Sequence, residues 1–381
     1  SLKFLCGALL LAGLAWQALA FTFVPSGAAW LPGTIPVQIK LGSGTALSDG
    51  TNHSSSVEAA MQAWNAQIGV VQFVPQTVAA GSSESGNEIN EIVFSADVEG
   101  DEFGTGVLAV TLGLYYSSIH QYAEADILFN TAYTWDSYRG ILQQAEDIRR
   151  VAIHELGHVL GLDHPDEQGQ SVTAVMNSHI SNLDSFAADD IAGAQQLYRA
   201  PGDTAPPAND HFANALTVVL TNNAAQVTGT TLFATKQNGE PNHGGYTGGR
   251  SVWWKWTAPS NGSITINSDG SKFDSLMGVY TGSLVAVLST IASNDDVQSG
   301  VIRYSTVTFN AVSATTYHIA LDGWDGDSGL VTLNFSFTPA NAPPTITSQP
   351  ASVQVAAGAA ATFGVAVIGT PPFTYQWYRN G

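Results

Sequence analysis

Along residues 21–200 the spacing of apolar side chains switches repeatedly between every second position and every third or fourth, the pattern of short strands broken by amphipathic helices. Ile35 to Lys40 alternates and predicts a first strand. Ser55 and Glu58 stand at capping-box spacing, and Val57, Met61, Trp64 and Ile68 follow at helical spacing, which predicts a helix with that face on the core. Val70 to Val74 and Glu91 to Phe94 predict two further strands, separated by a Gly/Ser-rich loop from Ala80 to Gly86. Gly106 to Tyr116 and Glu124 to Asn130 predict two more. A helix is expected from about Ala145, in period through Ile148, Val151, Ala152 and Glu155 onward. A last helix runs from Ala187 to Tyr198, with Ile191, Ala194 and Leu197 as its apolar stripe.

The pattern then changes. Three prolines between Pro201 and Asn209 predict a linker. Beyond it come short strand-like runs: Ser251 to Thr257, Gly262 to Asn267, Leu276 to Tyr280, Val307 to Phe309, Thr316 to Leu321 and Leu330 to Phe337. Their spacing predicts an all-β sandwich over 210–339. Alternation puts Trp254 and Trp256 on one face of their strand and Trp253 on the other, so at least one face is core. Asn341 to Pro344 reads as a second linker.

Composition fits folded domains, with 44% hydrophobic and 11% charged residues in 381. The net charge of −19 argues against nucleic acid and against an anionic membrane surface as partners. Lys3 followed by the apolar run from Phe4 to Ala20, ending Ala18-Leu19-Ala20, reads as a secretory signal peptide over 1–20, so the chain is expected to be secreted; a short membrane anchor is the competing reading, because the run approaches spanning length. The lone cysteine, Cys6, lies inside that segment, and a mature chain without it has no disulfides. Beginning at Ser1 and ending at Gly381 part-way through a domain-like pattern, the sequence reads as a fragment of a longer precursor.

One stretch carries chemistry. Residues 154–164 read H-E-L-G-H-V-L-G-L-D-H. His154 and His158, four apart on a helix, share one face and can reach one ion. Gly161 can take a positive φ, end the helix and return the chain so that His164 becomes a third ligand. Three imidazoles and an open position suit a catalytic zinc, not a closed structural one. Glu155 leans to the same side and is placed to be the general base for a metal-bound water.

With those residues in place, the chain over about 170 residues resembles the metzincin metalloproteases, and among them the matrixins. Ala174-Val175-Met176-Asn177 resembles their Met-turn, Ala125 to Asn130 the strand before the active-site helix, and Asp189 to Gly193 the C-terminal helix whose acids brace the Met-turn and the chain start. The resemblance implies an α+β zincin fold over 21–200, a twisted, mostly parallel sheet with an active-site helix. It implies one catalytic zinc on His154, His158 and His164, and Met176 beneath them. It also implies a protein or peptide substrate bound as an added strand along Val107, Leu108, Ala109 and Val110, and a specificity pocket shaped by about Ser178 to Leu183. There are departures. Pro165 stands where matrixins usually have Ser, and Ser178 stands where astacins and serralysins carry a tyrosine ligand. Only His120 lies between 95 and 130, which speaks against a second zinc, and no cysteine precedes the domain to hold it latent.

Asn209 to Ala215, Ser251 to Trp254 and Phe273 to Leu276 resemble bacterial pre-peptidase C-terminal domains, and 340–381 resembles the start of an immunoglobulin-like domain with Trp377 as its core tryptophan. Asp97, Glu99, Asp101 and Glu102 form an acidic cluster in a loop where matrixins carry calcium, and Asp274, Asn294, Asp295, Asp296 and Asp322 are candidate calcium ligands in the sandwich. A solvated acidic loop and scattered turn acids are the competing readings. The reading is a secreted zinc endopeptidase whose C-terminal β-modules can attach it to a surface or matrix. A surface-adhesion protein with a vestigial protease domain is the alternative, and retention of all three histidines and Glu155 favours the enzyme. A zinc enzyme acting on something other than a peptide is a third reading, disfavoured by the matrixin-like strands.

Overall fold

The computed structural model describes residues 21–378 apart from 43, 45, 342, 370 and 371. The expected signal peptide and Cys6 lie outside the described residues. Among the described residues no helix is long and apolar enough to cross a membrane. The chain divides into two compact units between Thr204 and Ala205, inside the stretch expected as linker. Asn209 belongs to the second unit's interior, because its carbonyl accepts from Trp253 N (2.9 Å) and its amide donates to Trp253 O (3.1 Å).

The first unit is built on a five-stranded sheet. Its strands are β1 (Gly33–Ile39), β2 (Val71–Thr77), β3 (Asn90–Ser95), β4 (Ala109–Tyr116) and β5 (Gln121–Asn130), in the order β2-β1-β3-β5-β4. All neighbours are parallel except β4, which runs antiparallel to β5 and forms one edge. Parallel strands covered on both faces read as near-continuous apolar runs. In β5 every residue from Glu124 to Asn130 is buried.

Helix α1 (His53–Asn65) buries Val57, Ala60, Met61 and Trp64, each large side chain worth roughly 1.5–3 kcal/mol. Its capping box is Asn52 with Ser55, one turn earlier than the expected Ser55 and Glu58. The Asn52 side chain accepts from Ser55 N (2.9 Å) and the Ser55 hydroxyl accepts from Asn52 N (2.9 Å). Glu58 instead accepts from the Thr77 hydroxyl on β2. Helix α2 (Ile148–Val159) packs against α1, and α3 (Ala188–Tyr198) closes the unit, burying Ala194 and Leu197, with Ile191 only half-buried.

The second unit carries two sheets, antiparallel throughout except where Leu216–Thr217 runs parallel to Val252–Thr257. One has the order β6-β8-β13-β10-β11, from Leu216–Thr217, Val252–Thr257, Thr316–Gly323, Ser275–Thr281 and Ser289–Asn294. The other has the order β7-β14-β9-β12, from Ala224–Thr230, Leu330–Pro339, Gly262–Asn267 and Thr306–Ala311. Trp254 and Trp256 on β8 reach across to the second sheet: Trp254 packs over Gly229 on β7, and the Trp256 ring lies 5.3 Å from that of Phe337 on β14. Trp253 points the other way and is equally buried, against Phe212 and Tyr280. Both faces of β8 are therefore core.

Farther on, Thr345–Ser348 pairs with Ala366–Ile368. Trp377 is not a core tryptophan among the described residues. It is 54% exposed, with its ring 6.4 Å from that of Phe363.

Candidate active site

Helix α2 is fixed at both ends. Asp147 caps its start by accepting from Arg149 N (3.1 Å), and the adjacent Arg150, 3% exposed, donates to Ser181 O and Gly140 O, both at 2.7 Å. At its C-terminus, carbonyls that a helix leaves without intrahelical partners find tertiary ones. Trp30 Nε1 donates to Val159 O (2.8 Å), the Tyr198 hydroxyl to Leu160 O (2.9 Å) and the Tyr122 hydroxyl to His158 O (3.4 Å). Gly161 follows at φ +94°, with Ala28 O only 2.6 Å from where a Cβ would stand. Leu162 and Asp163 then pair with Thr22 and Phe23, so the start of the described chain holds the turn that brings His164 back to the helix.

The three Nε2 atoms of His154, His158 and His164 lie 3.0–3.1 Å from one another. The opposite nitrogens show why this is not a hydrogen-bonded cluster. His154 Nδ1 meets Val175 O and His158 Nδ1 meets Leu162 O, both at 2.8 Å, and His164 Nδ1 lies 3.2 Å from a Glu167 carboxylate oxygen. Those oxygens can only accept, so each Nδ1 is the donor, and in a neutral ring Nε2 is then left with a bare lone pair. Three converging lone pairs repel unless a cation sits among them. Ligands on a tetrahedral zinc stand roughly 3.3–3.4 Å apart at bond lengths of about 2.0–2.1 Å, so the triad is within a few tenths of an ångström of that spacing. Burial, and then the neighbouring His154 and His164 rings, push His158 well below the usual imidazole range, which keeps it in the neutral, ligating form. The residues fit zinc.

Glu155 is 4% exposed and lies on the same side of α2. Its Oε2 accepts from the Thr111 hydroxyl at 2.7 Å. Burial pushes its carboxyl up, opposed by His154, by the Thr111 hydrogen bond and by His164. A cleft of about 840 Å³ opens over these groups, between residues 105–111 leading into β4 and residues 177–183 after the methionine. Strand β4 itself begins at Ala109. Val107 and Leu108 precede it, held by Asn130, whose side chain donates to Val107 O and whose backbone donates to Leu108 O, both at 2.9 Å.

Met176 packs beneath the helix. A Cβ on Gly157 would stand 2.2 Å from Met176 Sδ, so only glycine lets the thioether this close. The turn is held by Asp190, whose carboxylate accepts from Val175 N (3.0 Å), Met176 N (3.1 Å) and Ala187 N (2.7 Å). Val175 in turn accepts from His154 Nδ1, so a hydrogen-bonded path leads from α3 through the turn to a triad imidazole. Ser178 donates from its backbone and its hydroxyl to Asp166, at 2.9 and 2.7 Å.

Two supports escaped sequence reading. Thr111 looks like a β-branched strand filler, and Arg150 looks like a solvated helix residue; neither type signals what it touches. The calcium candidates differ in their surroundings. Among the described residues, Asp97 and Asp101 do not join a group of three metal-capable side chains: Asp97 accepts from Gly100 N (2.8 Å) and Val98 bridges to Asp101 in a tight turn. Asp322 is fully buried on β13, with its carboxylate taken by Gly249 N, Arg250 N and Gly323 N at 2.6–2.9 Å, so it is spent on a backbone loop. Asp274 and Asp295 do come together, with Asp296 as the third member.

Comparison with known proteins agrees on the first unit. Residues 36–199 match the family model Matrixin. Over 72 residues the chain is 33% identical to metalloendoproteinase 1-MMP of Arabidopsis thaliana, a match covering 18% of this chain and 20% of that protein. The chain thus spans about a fifth of the length of the curated relative it matches. Two solved structures align with 32% of the chain. One is a periplasmic inhibitor of g-type lysozyme from Aeromonas hydrophila, at TM-score 0.23 and 16% identity over 96% of that chain. The other is a pre-peptidase C-terminal domain of a Bacillus anthracis collagenase, at TM-score 0.20 and 13% identity over 94% of that chain. These two are likenesses and no more. The match over 36–199 identifies that part of the chain as a matrixin-like metzincin domain.

Proposed function

We propose that the first unit is a zinc endopeptidase that hydrolyses peptide bonds in extracellular proteins, with His154, His158 and His164 as metal ligands and Glu155 as general base. The observation that carries this reading is the convergence at the triad: Nδ1 of His154 and of His158 meets a backbone carbonyl, and the three Nε2 atoms face one another at 3.0–3.1 Å. Zinc, when bound, supplies the positive charge that polarises a scissile carbonyl and acidifies water.

The chain's own residues supply the rest. The exposed edge of β4 offers backbone donors and acceptors to an extended substrate, which would add to the sheet as a further strand. That register lays a scissile bond over Glu155, whose carboxylate takes a proton from the attacking water and returns it to the leaving amine. The Thr111 hydroxyl, itself on β4, fixes Oε2 and so ties the orientation of the base to the strand that receives substrate. Residues 178–183, pinned by Arg150 at Ser181 and by Asp166 at Ser178, form the opposite wall, where a substrate side chain is selected. Export follows from the apolar N-terminal run and suits a substrate outside the cell.

Hydrolysis of casein by the chain with and without 1,10-phenanthroline tests the reading. Activity should vanish with chelator and return with zinc. Hydrolysis indifferent to chelator would overturn it.

A further inference from the structure

A second convergence of charged side chains lies in the other unit, far in sequence from the triad and with no part in hydrolysis. Asp274 immediately precedes β10, and Asp295 and Asp296 immediately follow β11, its antiparallel neighbour. Pairing of Met277 with Asn294 sets the start of one strand beside the end of the other, and the three carboxylates then place ligand oxygens within 4.8 Å of one another.

Two observations separate this group from an ordinary acidic turn. The first is that Oδ1 of Asp274, of Asp295 and of Asp296 is shielded from solvent and has no hydrogen-bond partner in any of the three. Asp274 as a residue is only 8% exposed. Buried carboxylate oxygens without donors are rare, because neither water nor protein repays their desolvation. The positive group nearby does not meet this need: Arg303 approaches Asp274 Oδ2 at 3.7 Å, with a side chain 46% exposed, and does not bond any Oδ1.

The second observation is that the frame around the oxygens is already rigid. The Ser305 hydroxyl donates to Asp295 O (2.7 Å), Asn294 Nδ2 to Asp296 O (3.2 Å) and Trp324 N to Asp274 O (2.9 Å), while Asp296 Oδ2 accepts from Gly300 N (2.6 Å). Each acid is thus anchored through other atoms, and its Oδ1 is left over. A set of oxygens alone, without nitrogen or sulfur, selects a hard cation, and carboxylates on a loop between strands suit calcium better than the stricter octahedron of magnesium.

We propose that Asp274, Asp295 and Asp296 bind a calcium ion that ties the loop after β11 to the start of β10 and stabilises the second unit. Neither the zinc reading nor proteolysis enters this inference.

Terbium titration of the full, zinc-loaded chain tests it, with emission excited through tryptophan. Trp324, whose backbone is bonded to Asp274, is a nearby antenna. Sensitised emission should appear, should be displaced by calcium, and should need at least about tenfold more terbium in Asp274→Asn and in Asp296→Asn, each of which removes a ligand charge. Calcium should also raise the unfolding midpoint of the second unit in the parent chain and leave it unmoved in the variants. Asp296→Asn keeps an oxygen for Gly300 N and so guards against loss of folding in Asp274→Asn. Absence of terbium binding, or undiminished binding in a folded Asp296→Asn, overturns the proposal; the latter would put the ion elsewhere, such as the acidic loop around Asp97.

Discussion

Both units build histidine into the fold, half-buried in the first and fully buried in the second, and they use it in opposite ways. In the second unit His243 is fully buried and both ring nitrogens are consumed: Nδ1 with the Tyr280 hydroxyl at 2.7 Å and Nε2 with Glu240 Oε1 at 2.9 Å. Its ring packs edge-on against Trp253. Nothing is left to bind a ligand, and the imidazole serves as a polar joint inside an aromatic core. In the first unit His154 and His158 each spend one nitrogen on a backbone carbonyl and keep the other for the point they share with His164. The degree of burial is not what makes a histidine a ligand. The unclaimed nitrogen does, and the hydrogen bond on the opposite side of the ring determines which nitrogen is free.

Exchanging the two kinds of histidine for alanine should break the comparison most sharply. His158→Ala should release zinc by orders of magnitude and reduce casein hydrolysis to background, with the second unit's unfolding unaltered. His243→Ala leaves Glu240 and Tyr280 without a buried partner and should destabilise the second unit by about 2–4 kcal/mol, while zinc content and hydrolysis per folded chain stay at the parent level. Zinc measured by atomic absorption, beside thermal unfolding, checks both. A His243 variant that loses zinc would undo the distinction.

A smaller effect tests whether Glu155, the proposed base, is positioned by the strand proposed to receive substrate. Thr111→Val keeps the shape and removes the hydroxyl, and should lower kcat by about tenfold with KM little changed, the worth of one hydrogen bond to a charged group. Thr111→Ser should restore it. Equal loss in Val and Ser would mean that packing, not the hydrogen bond, was at stake.

The smallest effect concerns acid. Folded His158 is held neutral well below the pH at which an unfolded histidine, near 6.5, takes its proton. The unfolded chain therefore binds more protons as pH falls, so this contribution is complete above about pH 6.5 and is lost on acidification toward the folded value. Thermal unfolding of the first unit in chelator should show that decline, and zinc loading should move it to lower pH.

Much of the first unit was legible because its signals are local. The zinc spacing sits on one helix turn and one glycine, and the apolar stripe of α1 needs no partner to be seen. The misses are tertiary. Glu58 forms a capping pair with Ser55 on paper, but Asn52 captures Ser55 first and Glu58 finds Thr77 on a strand brought alongside. Edge strands β7 and β11 were missed because their small polar residues lack the alternation that a buried strand shows. Asp322 and Asp296 look alike as turn acids. Only folding shows that backbone amides occupy the one and leave an oxygen of the other unmet.

Glu155 is proposed to supply chemistry at a metal it does not hold. Zinc content and casein hydrolysis should be measured on the same preparation of Glu155→Gln. Glutamine preserves the shape and can still accept from Thr111, but it cannot take a proton from water. The account predicts full zinc occupancy, unchanged unfolding and hydrolysis reduced by at least about a hundredfold. Hydrolysis at the parent rate by the zinc-loaded variant would contradict it.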